Sequence, residues 1–449
     1  MRARAIALSS IACLGRHTIT GLLCTSGNQF ADWTAFYRLF SRQRIDADVV
    51  RGTLISDLRT HLKHDDPLVA ALDDTLVHKS GIRTAGVAYR RDPLGPPFQT
   101  NLVRAQRFLQ ISAALPAGPA TRMIPIDFQH APTTKKPGKN ASPEELARYR
   151  TQARETTLSR LGVKRLHALR QQLDATDPSR HIVAVVDAGY TNKTTLRNLP
   201  ANTTFIGRTR SDAKLYLPYD STGDTRPGRN RRYGDLAPTP EQLRTDDSTQ
   251  WQHIAATISG SQRTLRVKTL GPVLWKTAGY QTPLRLIVIA PTGYRLKKGS
   301  KLLYRQPAFL LTTDLQTPVG QLVQYYIWRS DIEVNFRDEK QIFGVGQAQV
   351  RNNASVQAAP ALAVAAYAML LLSAARAHGA DGKPATLPPP KWAIRSEKPR
   401  ASTADLRRAL RQELWGQAIG NYAGFAYRTP RGTKPPNYVP QLASAVLYA

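Results

Sequence analysis

Cysteine is close to absent from this 449-residue chain: Cys13 and Cys24 are its only two. Such a pair builds no disulfide framework, and its spacing matches no zinc module. Also missing are HExxH, a CxxC pair, a Walker-type phosphate loop and a complete GxGxxG. Zinc hydrolases, P-loop motors and dinucleotide-binding dehydrogenases therefore lose their usual marks. Acids are scarce as well: 32 Asp and Glu stand against 63 Lys and Arg, a formal net charge of +31. With 41% hydrophobic and 21% charged residues the chain is too apolar for a disordered one. A large folded protein with this excess of positive charge most often meets a polyanion, and nucleic acid is the default; the alternative is a basic protein with no such partner.

No export or membrane signal survives inspection. MRARAIALSSIACLG sets basic residues before an apolar stretch, but the stretch is brief, contains Ser9 and Ser10, and runs into Arg16 and His17. The uncharged run from Asn352 to Ala375 is long enough to span a bilayer, yet it is mostly alanine and carries Pro360, which suits a buried core helix better. The expectation is a soluble, cytoplasmic, nucleoid-associated protein with no membrane partner.

The first sixty-odd residues read as helices: about 18–23, a segment in which Phe30, Trp33, Phe36, Tyr37 and Phe40 recur at helical spacing, and about 46–62. With Arg16, Arg38, Arg42, Arg44 and Arg51 interleaved, they suit either a helix-turn-helix-like DNA reader or a plain bundle with a basic face. Strand patterns follow at 69–77, 102–115 and 122–129, then a long charged helix from Ser142 to Leu173 opened by a Ser-Pro-Glu-Glu cap. Further strands fall at 181–190 and 203–210, with Ile182 to Val186 apolar throughout, as burial on both faces requires. This is a mixed α/β layer. From Tyr216 to Arg305 a polar loop with arginines at 226, 229, 231 and 232 precedes antiparallel strands, an insertion into the α/β unit. After the strand 308–314, helical chain resumes. A Pro-rich linker then leads to a basic helix capped by Ser402 and Asp405 and carrying Arg407, Arg408 and Arg411. The implied divisions are 1–66, 67–215, 216–307, 308–377 and 378–449.

Three acidic positions stand out. Asp73 and Asp74 end the strand VAAL, and Asp187 ends IVAVV just before Ala188-Gly189. Ligands collect at the carboxyl ends of strands in such sheets, and acids from two ends can share divalent cations. A turn aspartate that accepts backbone N–H groups is the bland alternative. The third acid lies in YYIWRSDIEVNFRDEK (325–340). At about 100° per residue, Tyr326, Arg329, Glu333 and Lys340 form one stripe, beside an apolar face of Tyr325, Ile332, Phe336 and Phe343. Such a row suits phosphate chemistry, with an acid for metal and cations for the polyanion; a solvated face with Arg329–Glu333 pairing is the alternative.

Tyr-x2-Arg-x3-Glu-x6-Lys resembles the signature of one large group of bacterial insertion-sequence transposases of the DDE type. LDDTLVHKSG (72–81), with Lys79 and Gly81, looks like that group's first-aspartate strand, and VVDAGYTN (185–192) is similar to its second. The resemblance covers roughly 67–352. It implies a ribonuclease H-like (retroviral-integrase-like) catalytic core with a β-rich insertion; the all-α N-terminal domain read from the helical pattern precedes it, and recognition of DNA ends there is inferred from position and charge. It further implies the triad Asp74, Asp187 and Glu333, holding two Mg2+ (or Mn2+) ions per site. Asp73 is the alternative first acid; the family's habit of placing the acid before threonine favours Asp74. Tyr326, Arg329 and Lys340 would handle DNA phosphates and a displaced base.

The expected partners are double-stranded DNA, as terminal inverted repeats and target, and a second copy of the chain on DNA. Arg229, Arg231 and Arg232 are candidate phosphate contacts. Trp275 is a candidate stacking platform, with insertion core as its bland alternative. The expected activity is end cleavage and joining by two-metal phosphoryl transfer through a hairpin. Its rivals are a non-catalytic DNA-binding regulator derived from a transposase, and a nuclease on the same core.

Overall fold

The structure, a computed structural model, describes residues 2–421 except 82, 93–94, 96–97, 99–100, 118–119, 221–230, 298 and 382–399. Helices α1 (Arg2–Ala12), α2 (Ile19–Thr25), α3 (Thr34–Ser41) and α4 (Ala47–Arg59) come first. Thr18 starts α2 by accepting from the Gly21 N–H, and Asp46 starts α4 by accepting from Asp48 and Val49; each side chain satisfies amides that have no partner inside the helix. The chain then forms β1 (Leu68–His78), β2 (Ala88–Arg91), β3 (Leu102–Ala117) and β4 (Ala120–His130).

The charged stretch expected as one helix is two, α5 (Pro143–Glu155) and α6 (Leu158–Thr176), parted at Thr156-Thr157. The Ser142–Glu145 capping box at its start is present in both directions. There follow β5 (Ile182–Val186), α7 (Lys193–Leu196), β6 (Thr203–Arg208), β7 (Tyr216–Pro218), β8 (Tyr233–Leu236) and α8 (Pro240–Thr245). Next come β9 (Gln252–Ile258), β10 (Ser261–Val273), β11 (Leu284–Ile289), β12 (Gly293–Tyr294), β13 (Leu303–Tyr304) and β14 (Ala308–Thr312). The described chain closes with α9 (Val319–Trp328), α10 (Asp331–Gln341), α11 (Asn353–His378) and α12 (Thr403–Asn421).

One ten-stranded mixed sheet organises these elements, in the order β2-β3-β1-β5-β6-β14-β11-β10-β9, with β4 also paired to β3. Strands β1, β5 and β6 are parallel; β3 runs antiparallel to β1, and β4 antiparallel to β3. The strand-rich segment expected as an insertion extends the same sheet: β9, β10 and β11 join it through β14.

Alternation along the strands divides the core into two layers. Leu68, Ala70 and Leu72 of β1, with Ile182, Ala184 and Val186 of β5, face α4, α6 and α11. Val69, Ala71, Val183 and Val185 face α9 and α10, through Leu322, Val323, Tyr325 and Ile332. Every side chain of β5 is buried, as its unbroken apolar run requires.

The N-terminal helices do not stand apart as an all-α domain. Ala7, Ile11, Leu54 and Leu58 share the first layer with the sheet, and Phe36, Phe40 and Leu22 pack against Leu362 of α11. The aromatic row expected on one face is accordingly split: Phe36 and Phe40 are buried, whereas Phe30, Trp33 and Tyr37 are exposed. Helix α11 is long and apolar enough to cross a membrane, and most of it is buried against the rest of the chain.

Candidate active site

Parallel pairing of β1 with β5 ends at Leu72 opposite Val186. The next residues, Asp73 and Asp187, therefore stand side by side where β5 ends, on the face covered by α9 and α10. Asp187 opens a 3-10 turn (Ala188–Tyr190), its Oδ1 accepting from the Ala188 N–H at 2.6 Å, and nearly half of its side chain is exposed. Asp73 is largely buried. Arg329 Nη2 donates to Asp73 Oδ2 at 2.6 Å and stands 3.9 Å from Asp187 Oδ2. Burial pushes the Asp73 carboxyl up to about 6; Arg329 and the Asp74 amide oppose the rise, and the charges of Asp74 and Asp187 add to it.

Asp74, the first acid favoured on motif grounds, points the other way. Neighbouring residues of a strand face opposite sides, and Asp74 turns toward the layer under α6. There its Oδ1 accepts from the Tyr190 hydroxyl at 3.0 Å, and its Oδ2 lies 3.4 Å from Arg107 Nε. The acid beside Asp187 is Asp73.

The helix expected over 325–340 is broken after Trp328, with Arg329 and Ser330 forming the turn between α9 and α10. The break leaves most of the stripe's neighbourhood intact. Lys340 Nζ donates to Thr75 Oγ1 at 2.7 Å, and Thr75 shares a face of β1 with Asp73. Tyr326 is held in its phenol form chiefly by burial and lies in the field of Arg329, Arg208, Asp187 and Asp73. Glu333 is exposed in the first turn of α10, about 20° around the axis from Lys340. Among the described residues no three Asp, Glu, His or Cys side chains converge closely enough to hold a metal ion. Asp73 and Asp187 are together; Glu333 has not joined them.

The donor chemistry nevertheless fits a hard cation. Two carboxylates, one of them buried, converge on a single positive charge, and carboxylate oxygens are the donors a hard cation prefers.

Other expected contacts are placed elsewhere. Trp275, half-buried, packs against the layer on the far face of the sheet from Asp73 and Asp187. Arg232 Nη1 donates to the Tyr280 hydroxyl at 2.6 Å, with its guanidinium 5.4 Å from the Tyr280 ring centre, and Arg231 is exposed. Arg229 lies outside the described residues, as does Arg226. Arg407 Nη1 donates to the Ile342 carbonyl at 2.6 Å, and Arg411 Nε to the Ala12 carbonyl at 2.8 Å. Both thus satisfy carbonyls just beyond or at helix C-termini.

Two residues near the site escaped sequence reasoning. Arg208 ends β6 one step past the Val186–Gly207 pair, which puts it next to Asp187, exposed; a cation at a strand's carboxyl end was the available signal. Glu339 is buried on α10, and burial pushes its carboxyl up to about 8, with Gln110 and the Lys340 charge opposing the rise. No local pattern distinguishes it from the other acids of 325–340.

Residues 1–281 match the family model described as DDE superfamily endonuclease. The match includes β1 and β5 with both aspartates and stops short of α9 and α10. Such a domain implies a ribonuclease H-like α/β fold, and the mixed sheet agrees with it. No curated protein matches the chain.

Proposed function

Since the chain belongs to the DDE superfamily of endonucleases, a family of nuclease and transposase type that acts on DNA and generally uses divalent metals, we propose that it is a DNA transposase. It cuts the ends of its own element and joins them to target DNA. The observation that carries the proposal is the adjacency of Asp73 and Asp187 around one positive charge.

Asp73, Asp187 and Glu333 would hold divalent cations, Mg2+ or Mn2+, whose chemistry is to activate an oxygen nucleophile and stabilise the leaving oxygen at phosphorus. The chain's own residues do the rest. Burial of Asp73 beneath α9 and α10 keeps bulk water from one side of the reacting phosphate and strengthens every charge interaction there. Arg208, Arg329 and Lys340 present three cations to the DNA backbone around the acids; Arg329 also fixes the Asp73 carboxylate. Tyr326, uncharged in this setting, offers a hydroxyl and an aromatic edge beside them.

The second strand is cut through a hairpin, formed when the freed 3′-hydroxyl attacks the opposite strand. Arg329 and Lys340 hold the phosphates of the tight turn, which forces a base out of its stack. Two copies of the chain assemble with two element ends, and the +31 charge supports that assembly.

The test uses end-labelled DNA flanking the coding region, incubated with the protein and Mg2+. Matched inverted repeats cut at their ends and joined to target DNA support a transposase. Cut ends that are never joined identify a nuclease, and uncut but bound DNA identifies a regulator.

A further inference from the structure

Asp74 stands next to a proposed metal-binding acid, yet it faces away from the reaction. What it touches is Arg107, whose Nε lies 3.4 Å from Asp74 Oδ2, and Tyr190, whose hydroxyl donates to Asp74 Oδ1 at 3.0 Å. Tyr190 is the last residue of the turn that Asp187 opens, and its own N–H donates back to the Asp187 carbonyl at 3.1 Å. The rest of that turn is exposed: Ala188 and Gly189 lie at the surface, while the Tyr190 ring is buried in the layer under α6.

The seat for that ring is built closely. A Cβ on Gly162 of α6 would lie 2.7 Å from Leu72 Cδ2 and 3.3 Å from Tyr190 Cε1, so only glycine lets the helix approach this near. Asn192 ties down the far side of the turn, its Nδ2 donating to Ser159 Oγ at 2.7 Å and to the Gly189 carbonyl at 2.9 Å. The Asp187 side chain itself is held by its own turn's Ala188 amide at 2.6 Å and by Arg329 Nη2 at 3.9 Å.

We infer that Asp74 is a positioning residue: through the Tyr190 hydroxyl it clamps the turn that aims Asp187, and it touches neither substrate nor metal. The inference rests on the reading of Asp73 and Asp187 as metal-binding acids. Adjacent residues of β1 then serve one site from opposite faces of the sheet, Asp73 directly and Asp74 by way of its neighbour's turn.

The experiment measures Mn2+ binding by the full chain without DNA, following free Mn2+ by electron paramagnetic resonance, alongside amide hydrogen exchange over 187–192. Tyr190→Phe removes only the hydroxyl. It is expected to weaken Mn2+ binding roughly tenfold and to speed exchange in the turn, with DNA affinity unchanged. Asp74→Asn still offers an oxygen to the hydroxyl and is expected to stay within about threefold of wild type. Asp74→Ala should weaken Mn2+ binding at least as much as Tyr190→Phe, because it also removes the Arg107 ion pair, and adding Tyr190→Phe to it should cost nothing more, because the hydroxyl then has no Asp74 oxygen left to lose. If Asp74→Asn loses Mn2+ as completely as Asp73→Asn, Asp74 is itself a ligand and the inference fails. Wild-type binding and exchange in Tyr190→Phe overturn it equally. If instead Asp73→Asn and Asp187→Asn bind Mn2+ normally, the underlying metal reading fails, and the exchange rates still decide whether the clamp exists.

Discussion

Asp73 and Asp187 are neighbours on parallel strands, one step beyond the Leu72–Val186 pair, and Arg329 Nη2 lies 2.6 Å from one and 3.9 Å from the other. Two carboxylates this near, one of them buried, stay ionised together more readily with a cation beside them; without it one of them takes up a proton. Arg329 provides that charge here and, in the proposed reaction, a hold on DNA phosphate.

Losing that cation should show in the order of products. Arg329→Ala and Lys340→Ala are expected to nick the first strand and stall before the hairpin closes. On denaturing gels of end-labelled element DNA, a hairpin migrates as a double-length single strand. Double-strand breaks by the wild-type protein with no such species at any time would rule the hairpin route out.

Arg208 gives a separate handle, because it flanks Asp187 without touching Asp73. Arg208→Ala is expected to lower end-cleavage rates about tenfold, a loss of about 1.4 kcal/mol of transition-state stabilisation, with little change in the melting temperature of the protein. Unchanged kinetics would remove Arg208 from the site.

Salt dependence distinguishes cations that meet DNA from cations that hold the fold. Counterion release gives a slope of about −0.9 per phosphate contacted, so a log–log slope steeper than about −5 is expected. Arg231→Ala and Arg232→Ala should each flatten it by roughly one unit if each contacts one phosphate. Arg407→Ala and Arg411→Ala should leave it unchanged and instead lower the melting temperature, because each strips a partner from a helix-end carbonyl. A reversed pattern would reassign the two clusters.

Glu339 is expected to make stability pH-dependent. Its folded pKa, about 8, is raised by burial above the ordinary 4.5, so its contribution is fully present below about pH 4.5 and is lost as pH rises through 8. At pH 7 the cost of keeping it protonated is on the order of 3 kcal/mol. Glu339→Gln should therefore melt higher than wild type, by a margin that widens between pH 5 and pH 8. An equal margin at both pH values would show that Glu339 does not titrate in this range.

Much of the fold is legible in the amino-acid pattern, for reasons that are local. The apolar runs that open β1 and fill β5 and the Ser142–Glu145 cap each follow from local chemistry, and Asp187 is marked by the glycine turn behind it. The choice between Asp73 and Asp74 is not local. Alternation says only that they oppose each other; which face carries the site depends on α9 and α10 packing there, more than 240 residues later in the chain. The break at Arg329-Ser330 has no glycine or proline to announce it. The arginines of α12 look like phosphate contacts by composition because a guanidinium serves a phosphate and a helix-end carbonyl equally well.

The most direct test of the metal-centred account is end cleavage by Asp73→Asn, Asp187→Asn and wild-type protein on the same labelled DNA with Mn2+, with DNA binding measured in parallel. Both variants are expected to bind DNA as the wild type does, keep its melting temperature within a few degrees, and yield no nicked or joined product above background. Cleavage at the wild-type rate by either variant would contradict the account.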